Sequence, residues 1–275
     1  MVARQSRPQP PDAAEVEALR NELASSLLEV QKLREHVATI ESEGRQFLAA
    51  AAHSIRNPLT VIHSYLEILH TDLGQGLSEE QSSFLAVAYA NAVKLRNLVD
   101  DLVDLAALET GTLQIDLATV AVGEVVATVT SRMRQVAERS GVQLNDEVDG
   151  DLPAVTVDAK LLDDVVRRLV DNAIRFTPEG GTVSLRARSE PDHAVIEIRD
   201  NGAGIPAGRT ADVLQPFVQL HRVPGENREG FGLGLPLCSR AVRIFGGTLD
   251  LASIEGKGTT VTVRIPVSRG QTSER

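Results

Sequence analysis

His53-Ser54-Ile55-Arg56-Asn57-Pro58-Leu59 puts an imidazole, a candidate nucleophile, into an apolar helical repeat, with the Asn57 carboxamide one turn further along the helix. Three segments far downstream carry groups suited to phosphate. Leu169-Val170-Asp171-Asn172-Ala173-Ile174-Arg175-Phe176-Thr177-Pro178 sets Asn172 on a helix. Its carboxamide oxygen can join triphosphate oxygens around Mg²⁺, an ion that takes oxygen ligands and keeps several waters. Asp200-Asn201-Gly202-Ala203-Gly204 follows a β-like run, so a carboxylate sits at a strand end while Gly202 and Gly204 let backbone approach a ligand closely. Alone, that pattern fits a plain turn equally well. Gly230-Phe231-Gly232-Leu233-Gly234-Leu235 opens a helix whose free amides and positive dipole end can hold phosphate. It lacks the preceding strand of a dinucleotide fingerprint and the Lys of a P-loop. A different nucleotide fold is required.

These groups need elements to carry them. From Val16 the pattern is helical: Val16, Leu23, Val30 and Val37 recur every seven residues, with Leu19, Leu33 and Ile40 on the adjacent seam position. That seam, interrupted at Ser26 and ended by Gly44, predicts a short parallel coiled coil over 13–44. Residues 1–12 read as a disordered start. Leu48, Ile55, Ile62 and Leu69 form one apolar row of the next helix, and Ala52, Leu59, Leu66 and Leu73 the adjacent one. With Ile55 and Ala52 turned inward, His53 projects outward. His63 and His70 also fall on outward positions and read as surface histidines. Gly74-Gln75-Gly76 breaks the helix, and Ser78 followed by Glu79, Glu80 and Gln81 starts a second one that ends near Gly111. Two such hairpins would close a four-helix bundle, so the expected unit is a homodimer.

After Gly111 the periodicity changes. Strands are expected at Leu113–Leu117, Val142–Val148, Val183–Arg188, Ala194–Asp200, Thr248–Ser253 and Thr259–Pro266. Helices are expected at Val122–Arg139, at Ala159–Phe176 behind an Asp158 cap, and at Leu235–Phe245. The fold class is α+β: a coiled coil and helical hairpin, then an α/β sandwich with helices against one mostly antiparallel sheet. Ala207–Gly230, rich in Gly, Pro and charge, reads as a lid or a disordered segment. The domain limits that follow are 45–111 for the hairpin, 112–268 for the α/β domain and 269–275 for a tail.

Composition narrows the partners. Against 28 basic side chains stand 38 acidic ones, a net charge of −10, which disfavours nucleic acid and anionic membrane. No run of about 20 apolar residues could span a bilayer, and residues 1–12 lack the apolar segment of a secretory signal. The single cysteine, Cys238, excludes internal disulfides and fits a reducing cytoplasm.

In order along residues 45–266, these boxes resemble the two-component sensor histidine kinases. Any one box is weak; the order of phospho-acceptor helix, asparagine box, Asp-x-Gly-x-Gly, phenylalanine box and Gly-x-Gly-x-Gly is specific. The resemblance implies a dimerisation and histidine phosphotransfer domain followed by a Bergerat-type ATP-binding domain, with ATP and Mg²⁺ as ligands. It implies that His53 is the acceptor, that Asn172 coordinates Mg²⁺ and that Asp200 accepts from the adenine amine. The family's glycines correspond to Gly202, Gly204, Gly230, Gly232 and Gly234, with Leu235 following, its phenylalanine box to Pro216-Phe217, and its last glycine pair to Gly256-Lys257-Gly258-Thr259. Phe176 takes the aromatic place beside the nucleotide and Arg175 the basic one near phosphates. The implied reaction is autophosphorylation on His53 and transfer to an aspartate of a response regulator receiver domain. Asn57, a carboxamide one turn after the acceptor, implies phosphatase activity on that regulator.

Two positions depart from the family pattern. The residue after the acceptor is usually Glu or Asp, which orients the imidazole and takes its proton; here it is Ser54. One turn before Asn172, where another Asn is common, stands Arg168, placed either on phosphate or in solvent. Gyrase- and chaperone-type relatives put a water-activating Glu there, a role Arg cannot fill. Ser54 keeps open a weakly catalytic or non-catalytic scaffold that binds ATP and a regulator. A serine/threonine kinase of the anti-sigma type shares the ATP fold but has no use for residues 45–110. No sensory domain fits in residues 1–44, so a separate sensory protein is a candidate partner, or the chain is a piece of a longer kinase.

Overall fold

The computed structural model describes residues 31–32, 55–69, 71, 77–220 and 231–267. Apart from residues 31–32, the coiled-coil segment lies outside the described residues, as do His53, Ser54, His70, Gly230 and the 269–275 tail.

Residues 55–69 are helical (α1) and run against α2, Glu79–Thr110. The start of α2 follows from a capping box: the Gln81 amide donates to Ser78 Oγ (3.2 Å), and the Ser78 amide donates to Gln81 Oε1 (2.9 Å). Gly111 ends it in the left-handed region, its N–H donating to the Ala107 carbonyl. Leu59 packs on Val99 between the two helices, and Arg56 Nε bonds Asp100 Oδ1 at 2.7 Å.

This register corrects the expectation for His63. The Leu59 row faces α2, and position 63, one turn on from Leu59, shares that face. His63 is accordingly buried, with Arg96 Nη1 at 3.2 Å from Nε2 and the Tyr89 ring at 5.2 Å.

The expected strand at Leu113–Leu117 does not form. The Asp116 amide instead donates to Asp158 Oδ2 (3.0 Å), and pairing begins at β1, Ala118–Ala121. Its antiparallel partner, β3 (Ala154–Val157), was not expected from the sequence. The remaining elements are α3 (Val122–Arg139), β2 (Gln143–Val148), α4 (Ala159–Phe176), β4 (Thr182–Glu190), β5 (His193–Asp200), α5 (Gly234–Ile244), β6 (Thr248–Ile254) and β7 (Gly258–Pro266). The second sheet has the order β2-β4-β5-β7-β6, with only the β2–β4 pair parallel. Helices α3, α4 and α5 cover one face of it and share a single apolar core.

Asp158 caps α4, accepting from the Lys160 and Leu161 amides at 2.9 and 3.0 Å through Oδ1. Slight burial would raise its carboxyl, but three backbone N–H donors outweigh that and hold it below the ordinary value. Because the folded-state value is lowered, the cap's contribution is full at neutral pH and is lost as pH falls through that value. Asp158→Ala should cost about 1–2 kcal/mol, read as a lowered denaturant midpoint.

Candidate nucleotide site

Period-2 alternation on β5 puts Ala194, Ile196, Ile198 and Asp200 on the face that the helices cover. Three of the four build the core. The fourth, at the strand's end, opens into a cleft of about 860 Å³. Asp200 is 8% exposed, and its Oδ1 accepts from the Gly202 amide (2.9 Å) and the Thr259 amide (3.1 Å). Burial pushes this carboxyl above its ordinary value, against the opposing pull of those two donors.

The glycines here first make room for the protein itself. A Cβ on Gly202 would lie 2.2 Å from the Phe176 carbonyl oxygen, and one on Gly204, at φ +67°, 2.2 Å from that of Ile254. The Ala203 amide donates to the Phe176 carbonyl at 3.1 Å, tying the loop to the end of α4. Ser253, which the sequence did not single out, links two walls: its Oγ accepts from the Ile205 amide (2.8 Å) and lies 2.9 Å from Thr259 Oγ1.

Asn172, Arg175 and Phe176 from α4 line the same cleft, as do Gly204, Gly232, Gly234, Leu235 and Thr259. Arg175 Nη2 also holds Asp171 Oδ2 at 3.0 Å. Helix α5 starts at Gly234 with no side chain capping it, so the Gly234 and Leu235 amides are available to an anion, Pro236 having none to offer. Phe217 is not part of the lining: it is exposed, sits at φ 66°, and its N–H donates to the Gly232 carbonyl (3.1 Å). That non-glycine left-handed conformation costs about 1–2 kcal/mol. Asn57 is exposed on α1 and does not line the cleft.

One wall was invisible in the sequence. Lys94, Asn97, Asp100 and Asp101 of α2 also line the cleft. Arg168 also lines this cleft, but its guanidinium is taken up by carboxylates rather than left free for phosphate or solvent. Its side chain is 16% exposed, with Nε 2.5 Å from Asp164 Oδ2, Nη1 2.5 Å from Asp101 Oδ1 and Nη2 3.7 Å from Asp104 Oδ2. Two aspartates that look like solvated helix charges therefore take up the arginine that the sequence left unplaced.

The donor set fits Mg²⁺ brought in with a triphosphate. Among the described residues no group of three His, Cys, Asp or Glu could hold a metal by itself, whereas one carboxamide oxygen on α4 suits an ion held mainly by phosphates and water.

Residues 43–111 match the family model "His Kinase A (phospho-acceptor) domain", and residues 157–269 match "Histidine kinase-, DNA gyrase B-, and HSP90-like ATPase". Sensor protein DivL of Caulobacter vibrioides is 31% identical over 268 residues, which are 97% of this chain and 34% of that protein. Sensor histidine kinase WalK of Bacillus subtilis is 29% identical, over 84% of this chain and 38% of its own length. Full-length ShkA, crystallised with AMPPNP, superposes with a TM-score of 0.68 at 26% identity, over 80% of this chain and 45% of that one. The chain thus spans between about a third and a half of these relatives. Among the described residues no helix is long and apolar enough to cross a membrane. With both family models matched in the expected order, and Asn172, Asp200, Gly204 and the start of α5 gathered around one cleft, the chain belongs to the two-component sensor histidine kinases.

Proposed function

We propose that the chain phosphorylates itself on His53 from ATP and passes the phosphoryl group to an aspartate of a response regulator. One observation carries this: Asn172, Asp200, Thr259 and the start of α5 converge on a cleft that α2 also lines, the helix paired with the one that bears the acceptor motif. In this reading Asp200 Oδ2 accepts from the adenine amine while Oδ1 stays on its two amides. Phe176 lies beside the base, and the first amides of α5 receive phosphate oxygens. Asn172 would hold Mg²⁺, which when bound neutralises phosphate charge.

An imidazole nitrogen of His53 attacks the γ-phosphorus in line. An N–P bond forms, the bond from γ-phosphorus to the bridging oxygen breaks, ADP leaves, and the ring loses a proton. The protein's part is chiefly orientation and charge neutralisation. Incubation with γ-labelled ATP and Mg²⁺ tests it: label should be acid-labile, base-stable and map to His53. Acid-stable label, or label on another residue, would sink the assignment.

Asn57 is proposed to orient the water that hydrolyses the regulator's phosphoaspartate. Asn57→Ala should therefore slow regulator dephosphorylation while leaving label uptake in place; an unchanged dephosphorylation rate counts against the role. Dimerisation is supported by what one hairpin leaves uncovered. Ile55, Ile62 and Leu69 of α1 and Phe84, Val87 and Leu95 of α2 are 40–66% exposed, an apolar surface large enough to demand a partner. A second copy closing a four-helix bundle would cover it. The same reading places the chain in the cytoplasm, with input from a separate sensory protein. A second reading, a scaffold that binds nucleotide without turning it over, is favoured by Ser54 alone.

A further inference from the structure

We propose that Arg168 is a positioning residue for phosphoryl transfer, a two-sided clamp that orients the nucleotide cleft against the helical hairpin by gripping Asp101 and Asp104. The proposal rests on the reading of the cleft as the phosphoryl donor site.

A guanidinium is a planar fork with donors on two edges. In Arg168 the Nε edge is fixed on its own helix by Asp164, which Arg167 also bonds, and the Nη edge reaches α2. The two sides of the fork thus belong to two elements. Asn172 sits one turn further along α4, so the clamp and the proposed metal contact share one rigid segment.

A second contact beside it has the same logic. Leu233 and Leu237 pack on Leu105 of α2, with Arg240 Nε 2.6 Å from Glu109 Oε1. Leu233 directly precedes Gly234, where α5 begins. Both helices that present groups to the cleft therefore also carry the contacts to α2. Next to Asp101 on α2, Asp100 holds Arg56, three residues after His53 in the sequence. A continuous set of contacts runs from the cleft to the residues that follow the acceptor.

Adhesion alone does not explain these charges. Burial pushes the Asp101 and Asp104 carboxyls above their ordinary values even though Arg168 pulls them down. Well-packed apolar side chains could hold two surfaces together at least as well. What the fork adds is direction: with Nε pinned on α4, only one approach of α2 satisfies the outer nitrogens. Direction matters for a transfer in which a misplacement of about 1 Å can cost about 10²-fold in rate.

The test separates rate from affinity. In full-length protein, Arg168→Gln, and separately Asp101→Asn with Asp104→Asn, should slow single-turnover labelling at saturating Mg²⁺-ATP by about 10²-fold. The Kd for ADP should change by less than about twofold, and Arg168→Lys should recover part of the rate by restoring the charge. A tenfold or greater loss of ADP affinity in Arg168→Gln would mean that Arg168 serves phosphate directly, and an unchanged or faster labelling rate would mean that the contact is idle or inhibitory; either overturns the proposal. If the wild type takes up no label, the functional reading fails on its own, and the clamp is judged by cross-linking. Cysteines placed as Glu109→Cys and Arg240→Cys, whose native side chains meet at their tips, should be joined by a short bismaleimide several-fold faster with Arg168 than with Arg168→Gln. Native Cys238 is silent there, because it is 1% exposed and burial pushes its thiol up to about 12. Equal cross-linking rates would refute the clamp.

Discussion

Ser54→Glu should raise the rate of label uptake on His53 by about 10²- to 10⁴-fold, the range that general-base help contributes. The attacking imidazole must shed a proton as the N–P bond forms. A carboxylate one residue on can orient the ring and take that proton, and the family usually has one. A serine hydroxyl cannot act as an ionised base near neutral pH, so the wild type must lose its proton to water or to a less well-placed group. The measurement compares initial labelling rates of wild type and Ser54→Glu at the same saturating ATP. Equal rates would clear Ser54 and place the base elsewhere. Nucleotide binding with no label in either protein would favour the scaffold reading.

Asp200→Asn should weaken ADP and ATP binding by about 10²- to 10⁴-fold. An Asn oxygen can still accept from the Gly202 and Thr259 amides, which bond Oδ1 today. The side-chain NH₂ then takes the place of Oδ2 and meets the adenine amine donor to donor. A lost charge-assisted bond, about 1.5–3 kcal/mol, combines with an unsatisfied buried donor, about 1–3 kcal/mol; their sum, about 2.5–6 kcal/mol, brackets that range at about 1.4 kcal/mol per tenfold.

The fold should survive the change. Because burial raises the folded-state value of Asp200, its ionised form opposes folding above that value, and the opposition fades as pH falls through it. A neutral isostere removes the unfavourable contribution. Affinity measured by titration should therefore collapse while the thermal midpoint of the nucleotide-free protein holds or rises. A lost midpoint together with lost affinity would mean that Asp200 is needed for folding rather than for recognition.

Local chemistry made much of this structure legible in advance. Ser78 and Gln81 write both halves of a capping box into four residues, and Asp158 starts α4 where its side chain can reach two free amides. The strands β4, β5 and β7 follow their alternating Val, Ile and Leu within two residues at each end. The faults were equally physical. Leu113–Leu117 has a strand-like composition, yet strand pairing is a property of two segments, and its Asp116 amide goes to the Asp158 cap instead. Ala154–Val157 is too short to announce itself. His63 was placed outward because periodicity finds a face of a helix without saying which neighbour covers it.

From the order of residues alone came the acceptor motif, the departures at Ser54 and Arg168, the positions of caps and glycines, and the boxes that mark the family, because each depends on groups a few residues apart. Tertiary structure decided that the Leu59 row, and with it His63, turns to α2. It also decided that Asp100 and Asp101 wall the cleft, and that Arg168 binds aspartates 64 and 67 residues upstream rather than solvent. Those pairings join segments whose separation along the chain carries no periodic signal. They are set by how one helix settles against another, and only packing in three dimensions selects that.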